Sequence, residues 1–291
     1  MSTMDTPTPE NLDLPAWPYP RWVAHRGAGK IAPENTLAAF KLGAAHGYRM
    51  FECDVKLSSD GVPFLMHDAT LQRTTNARAK IGAGNSAAAR SGASAVGGDH
   101  TWSVLSQLDA GSWHSRAYAG EALPTLEAVA RYCIANGFFL NIEIKPTPGT
   151  ERHTGEVVAQ HAARLWKGVA VPPLLTSFDV EALEGAQAVQ PELPRGLLLD
   201  ELWKGWLEKA LTLECQAIVC NHALWDKSTV LQAKSAGFRT PSNTVNDEWA
   251  AQRLIDLGTD AVITDRVDLF KPVRLNIICK TVDFYCFTVN N

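Results

Sequence analysis

Short apolar runs alternate with segments of helical periodicity along most of this chain, the pattern that repeated βα units produce. The runs predict strands at 22–25, 50–55, 138–144, 174–178, 196–199, 217–221, 238–243 and 260–264. Between them the 3.6-residue period predicts helices over 35–46, 126–136, 154–165, 180–189, 202–213, 227–236 and 247–257. Pro33 stands just before the first of these and Gly137 just after the second, in the places that helix starts and stops favour. An α/β chain with eight strands, each followed by a helix, fits a closed (β/α)8 barrel, for which roughly 250 residues is typical. An open, doubly wound sheet is the other solution.

Two stretches break the alternation. Residues 70–123 separate the second strand from its helix, and their middle, 77–100, is dominated by Ala, Gly and Ser, the composition of a loop. On the βα side of a barrel such an insertion serves as a lid or pocket wall, or is a tolerated surface addition. At the other end, 281–289 alternates like a strand after the barrel is complete, which leaves an edge strand or a homodimer contact open. The expected organisation is an N-terminal extension over 1–20, a barrel domain over 21–270 carrying the insertion at 69–123, and a tail over 271–291.

Composition narrows the function classes. With 291 residues, 46% hydrophobic and 20% charged, the chain can bury the core of one large α/β domain. A formal net charge of -4 argues against nucleic acid as a partner, since a phosphate backbone is met by a strongly basic face. No run of 18 apolar residues predicts a membrane span, and the N-terminus has no apolar core of a signal peptide, so a cytoplasmic protein is expected. The six cysteines form no C-x-x-C pair and read as reduced, mostly buried thiols.

Chemistry concentrates between Trp22 and Arg73. His25-Arg26-Gly27, Pro33-Glu34-Asn35-Thr36, Glu52-Cys53-Asp54, Asp60-Gly61 and His67-Asp68 each fall where an apolar run ends or a helix begins. In a strand, Glu52 and Asp54 share a face and Cys53 takes the other. Glu143 and Lys145 repeat that spacing at another strand end. Three carboxylates at neighbouring strand ends suit one hard divalent cation, Mg²⁺ or Ca²⁺, rather than a soft metal. His25 and His67 at two strand ends beside them suit acid and base roles, because imidazole titrates near neutral pH. Arg26 offers a fork for phosphate oxygens and Lys145 a point charge. Together these groups suit hydrolysis of a phosphodiester. His46, His100, His114, His153, His161 and His222 are read as structural.

These motifs carry a resemblance. H-R-G at 25–27, P-E-N-T at 33–36, E-x-D at 52–54, D-G at 60–61, H-D at 67–68, L-x-R-T-T-N at 71–76 and N-I-E-I-K-P at 141–146 look like the glycerophosphodiester phosphodiesterase family. L-D-A-G-S-W at 108–113, G-E-x-L-P-T-L at 120–126, S-F at 177–178, T-V-N at 244–246 and I-T-D at 263–265 agree with it in order. The resemblance spans roughly 21–270 and implies a (β/α)8 TIM barrel. It further implies that Glu52, Asp54 and Glu143 hold one divalent cation, that His25 and His67 are the acid and base, and that Arg26 and Lys145 meet the phosphate. The expected substrates are small glycerophosphodiesters such as glycerophosphocholine or glycerophosphoethanolamine, cleaved to glycerol 3-phosphate and an alcohol. A lysophospholipase D acting on lysolipids and a non-catalytic glycerophosphodiester-binding protein are the competing readings, the second disfavoured by retention of both histidines and all three carboxylates.

Neighbouring residues are assigned more ordinary roles. Glu34 and Asn35 read as structural, with Asn35 starting the first helix by accepting a backbone N–H. Asp68 orients His67 or makes a turn. Phe178 packs against the glycerol carbons or belongs to the core. Asp265 reads as a cap for a last helix. Asn243 stands where the family commonly has Trp in W-T-V-N, which removes an expected aromatic wall near the substrate.

Overall fold

The computed structural model of the chain describes Leu14, residues 16–80 and residues 95–272. The predicted strands appear as β1 (Trp22–Ala24), β2 (Met50–Leu57), β4 (Phe139–Ile144), β5 (Leu174–Ser177), β6 (Arg195–Leu199), β7 (Ala217–Asn221), β8 (Pro241–Asn243) and β9 (Ala261–Thr264). All neighbours among them are parallel, and pairing of β1 with both β9 and β2 closes the ring. The chain is therefore a closed (β/α)8 barrel, and the open-sheet alternative is excluded.

One more strand lies outside that ring. The run before His67, which sequence patterning does not count as a strand, forms β3 (Pro63–Leu65), antiparallel to β2, with Val55 opposite Leu65 and Leu57 opposite Pro63. β2 is accordingly two residues longer than expected. Its turn is fastened by Ser58, whose Oγ accepts the Val62 N–H at 2.9 Å and donates to Asp60 Oδ1 at 2.6 Å.

Strand alternation sorts the core. Val23, Met50, Leu174, Leu198, Ala217, Val219, Ala261 and Ile263 form a compact cluster with Tyr19. The intervening positions, among them Ala24, Phe51, Cys53, Val55, Ile142 and Leu175, pack with buried faces of the surrounding helices. Several of those helices begin on side-chain caps: Thr36, Thr125, Asp179, Asp226 and Asp247 each accept a first-turn N–H. Helices Glu151–Leu165 and Val180–Val189 lie in close contact at Gly155, where any Cβ would meet the Ala182 carbonyl.

The flanks of the insertion are structured rather than loop-like. Phe64, Met66, Leu71, Ala77, Leu105, Leu108, Ala110 and Leu123 make a cluster of their own, and Thr70 bridges to Val96. The Ala/Gly/Ser-rich core of the expected loop, residues 81–94, lies outside the described residues, as do most of the N-terminal extension, the strand-like 281–289 and Cys279 and Cys286. Cys53, Cys133, Cys215 and Cys220 are buried free thiols. Among the described residues no helix is long and apolar enough to cross a membrane.

Candidate active site

The parallel register of β2 with β4 sets Glu52 against Asn141 and Asp54 against Glu143. One carboxylate oxygen from each of Glu52, Asp54 and Glu143 then lies within 4.8 Å of the others, and all three residues are buried. Burial, followed by repulsion from Asp54, pushes the Glu52 carboxyl up to about 8 and raises Glu143 as well. Burial also works against ionisation of Asp54, but the Arg26 and Lys145 cations outweigh it and hold Asp54 below its ordinary value. Glu52 Oε1 and Asp54 Oδ1 are buried without a hydrogen-bond partner among the described residues. Unsatisfied carboxyl oxygens at that depth are costly, and a hard cation, displacing the proton that burial favours on Glu52, is the partner their chemistry fits.

Two basic side chains lean on this cluster. Arg26 follows β1 in a left-handed conformation (φ 50°), and its N–H donates to Glu52 Oε2 at 2.9 Å. Its Nε lies 3.3 Å from Asp54 Oδ2, and its Nη1 donates to Glu34 Oε1 at 2.9 Å. The tight turn needs Gly27 next to it, because φ is +98° and an added Cβ would sit 2.8 Å from Ala39 Cβ. Lys145, just beyond β4, donates from Nζ to Glu143 Oε1 at 2.7 Å and reaches within 3.7 Å of Asp54 Oδ1.

Both histidines are oriented by carboxylates. His25 Nδ1 is 2.6 Å from Asp265 Oδ1, and His67 Nδ1 is 2.8 Å from Asp68 Oδ1. Because a carboxylate only accepts, each ring donates its Nδ1–H and keeps Nε2 for other work. His25 Nε2 is 3.7 Å from Glu52 Oε2, which places that nitrogen at the edge of the acidic cluster. His67 is brought there by the hairpin, since the adjacent Met66 N–H donates to the Asp54 carbonyl at 3.0 Å. Burial lowers the His25 basicity, but Asp265 and Glu52 more than restore it, so His25 ends above its ordinary value. Burial dominates at His67, which ends below it.

Two expectations change here and two others are narrowed. Asn35 does not cap the first helix; Thr36 does, with Oγ1 accepting from Ala39 N at 3.3 Å. Asn35 instead sits at φ 58°, buried, donating from Nδ2 to Asp54 Oδ2 at 2.8 Å and accepting the Asp54 N–H at 3.1 Å. Glu34, read as structural, joins Arg26 to Arg73. Asp265 is followed by no helix among the described residues, and it binds His25 while Asn246 Nδ2 donates to its other oxygen at 3.0 Å. Phe178, at the end of β5, is exposed rather than core, with the Lys145 Nζ 5.7 Å from its ring centre.

Two further positions had no assigned role. Lys56 continues the face of Glu52 and Asp54; it is buried, donates to the Lys145 carbonyl at 3.1 Å, and burial pushes its ammonium down to about 8. The signal for it is the same i, i+2 alternation that singles out the two acids. Asn243, at the end of β8 in register with Asn221, has a buried Oδ1 without a partner among the described residues.

Comparison with known proteins places the chain in a family. A glycerophosphodiester phosphodiesterase of Caldanaerobacter subterraneus is 30% identical over 84% of this chain and 93% of its own length. Among solved structures, an Oleispira antarctica phosphodiesterase in complex with the product sn-glycerol-3-phosphate is 34% identical, covers 85% of this chain and 93% of its own, and superimposes with a TM-score of 0.73. A glycerophosphodiester phosphodiesterase from Agrobacterium tumefaciens is 28% identical over 87% of this chain and 99% of its own, with a TM-score of 0.69. The profile of the Glycerophosphoryl diester phosphodiesterase family matches residues 25–269, from the first site histidine to the end of the barrel, and the chain belongs to that family.

Proposed function

We propose that this chain hydrolyses small glycerophosphodiesters, such as glycerophosphocholine or glycerophosphoethanolamine, to sn-glycerol 3-phosphate and the free alcohol. The observation that carries the reading is the juxtaposition of three buried carboxylates, two of them with an oxygen that has no hydrogen-bond partner among the described residues, and a histidine held through Nδ1 with Nε2 at their edge. Glu52, Asp54 and Glu143 would hold one divalent cation, Mg²⁺ or Ca²⁺. When bound, such an ion supplies positive charge to a phosphoryl oxygen. Arg26 and Lys145 supply further charge to the nonbridging oxygens, where negative charge grows during displacement. His25 and His67, each with Nδ1 fixed, move protons at Nε2, one accepting from the attacking hydroxyl and one donating to the leaving alcohol oxygen. Phe178 offers an exposed aromatic face beside Lys145 for the apolar edge of the glycerol unit.

The test is release of glycerol 3-phosphate from glycerophosphocholine by chelator-treated protein, with Mg²⁺ or Ca²⁺ added back and lysophosphatidylcholine run in parallel. Turnover of the small diester restored by one ion supports the reading and names the cation. Turnover of the lysolipid alone, or none on either substrate, overturns it.

A further inference from the structure

Arg73 belongs to the L-x-R-T-T-N motif, and neither sequence patterning nor the reaction above gives it a task. Its guanidinium grips two carboxylates at once. Toward Asp68 it donates from Nε to Oδ2 at 2.6 Å and from Nη2 to Oδ1 at 2.9 Å. Toward Glu34 it donates from Nη1 to Oε2 at 2.8 Å and from Nη2 to Oε1 at 2.7 Å. Asp68 Oδ1 is also the oxygen that takes the His67 ring, and Glu34 Oε1 the one that takes Arg26 Nη1. A single line of charge-assisted contacts therefore runs His67, Asp68, Arg73, Glu34, Arg26, Asp54. Trp113 flanks it, with the Arg73 guanidinium carbon 5.9 Å from the ring centre.

We infer that Arg73 is a positioning residue for the proposed reaction, holding His67 through Asp68 with one edge and Arg26 through Glu34 with the other. The inference rests on the phosphodiesterase reading for its catalytic consequence. The side chain is 43% exposed, and an ion pair that open to water returns little stability, so stability alone does not account for two forks on one guanidinium. What the planar fork does supply is direction: it fixes both carboxylates in one arrangement, which the point charge of a lysine does not. It also neutralises two acids beside a site meant for an anion. Asp68 accordingly lies well below the usual carboxylate range, chiefly through its bonds to Arg73, and Glu34 lies below its ordinary value although burial opposes it.

The experiment compares wild type, Arg73→Ala, Arg73→Lys, Asp68→Ala and the Arg73→Ala/Asp68→Ala double variant in the metal-loaded protein. Thermal unfolding checks that each variant folds. Arg73→Ala is expected to lower kcat for glycerophosphocholine by about 10- to 100-fold, the cost typical of losing a group that orients a ligand. Arg73→Lys should recover little of that loss, and adding Arg73→Ala to Asp68→Ala should cost clearly less than Arg73→Ala costs in the wild type, because the branch through Asp68 is already lost and only the one through Glu34 remains. A second readout needs no turnover: the nitrogen chemical shifts of His67, assigned against His67→Ala, should report an Nδ1–H ring in the wild type and mixed tautomers in Arg73→Ala. A wild-type kcat in Arg73→Ala, full additivity with Asp68→Ala, or an unchanged His67 tautomer overturns the inference. Silence of the wild type on glycerophosphodiesters would sink the phosphodiesterase reading, while the tautomer measurement would still decide whether Arg73 holds His67.

Discussion

Asp265 and His25 are 240 residues apart in sequence, yet their Oδ1 and Nδ1 atoms meet at 2.6 Å across the seam where β9 closes the barrel onto β1. Closure of the sheet therefore creates the oriented histidine. Replacing Asp265 with Asn keeps the shape but puts a neutral amide, able to donate as well as accept, against the ring. The expected result is a fall in kcat of about 10- to 100-fold with a smaller change in KM, read from steady-state kinetics. Wild-type kcat in Asp265→Asn would remove the orienting role.

The same pair makes a prediction about acid. Burial raises the Asp265 carboxyl, but its hydrogen bond to His25 and the charge there bring it down to about 2. A depressed carboxylate contributes stability above its unfolded value near pH 4 and loses it as pH falls through about 2, a contribution on the order of 2 kcal/mol. The stability gap between wild type and Asp265→Asn, measured by urea unfolding, should be largest above pH about 4 and close as pH drops toward 2. A gap that stays constant over that window contradicts the assignment.

Metal binding should release protons. In the metal-free protein Glu52 is pushed up to about 8, so near neutral pH a cation must displace the proton it holds. Titration calorimetry with Mg²⁺ or Ca²⁺ is expected to show affinity rising from about pH 6 to about pH 8, with net proton release. Glu52→Gln should weaken binding by at least about tenfold and flatten that dependence. Equal affinity at both ends of the range would argue that Glu52 is no ligand.

His25→Ala and His67→Ala should each abolish measurable turnover while the circular dichroism spectrum stays that of the folded wild type, with His25→Ala melting lower because Asp265 loses its partner. Near-full activity in either variant would show that the acid–base assignment is wrong.

Asn35→Ala leaves the Asp54 N–H and Oδ2 without their amide partner in a buried place. The expected cost is about 2–4 kcal/mol from two lost bonds to a buried acid, visible as a lower melting temperature. The substitution should also weaken metal binding, since Asp54 loses a bond that holds its carboxylate. A melting temperature within error of wild type would mean that Asp54 finds other partners.

Much of this architecture is legible in the sequence because the barrel strands are buried on both faces, so each reads as an apolar run bounded by polar residues. The carboxylates are legible for a related reason: Glu52 and Asp54 interrupt such a run at spacing two, and the two histidines at neighbouring strand ends mark them out from an ordinary surface pair. β3 escapes because three residues beginning with a proline make no periodic signal. Asn35 and Asp265 escape for a different reason. A cap is a local pattern that a sequence displays, whereas their actual partners, Asp54 and His25, become neighbours only when the chain bends left-handed at Asn35 or the ring closes. Arg73 is hidden likewise, one of its carboxylates being five residues away and the other 39.

The β2–β3 hairpin and the long insertion that follows it have different freedoms. His67 stands two residues beyond a strand paired directly to the one that holds Asp54, and the adjacent Met66 N–H bonds the Asp54 carbonyl, so its place beside the acidic cluster follows from the register of that ladder. Everything after Asp68 lies beyond that ladder. Outside the contacts of Arg73 and the apolar cluster around Leu105, the insertion can therefore change without disturbing the spacing between His67 and the acids, which the turn at Ser58–Val62 sets.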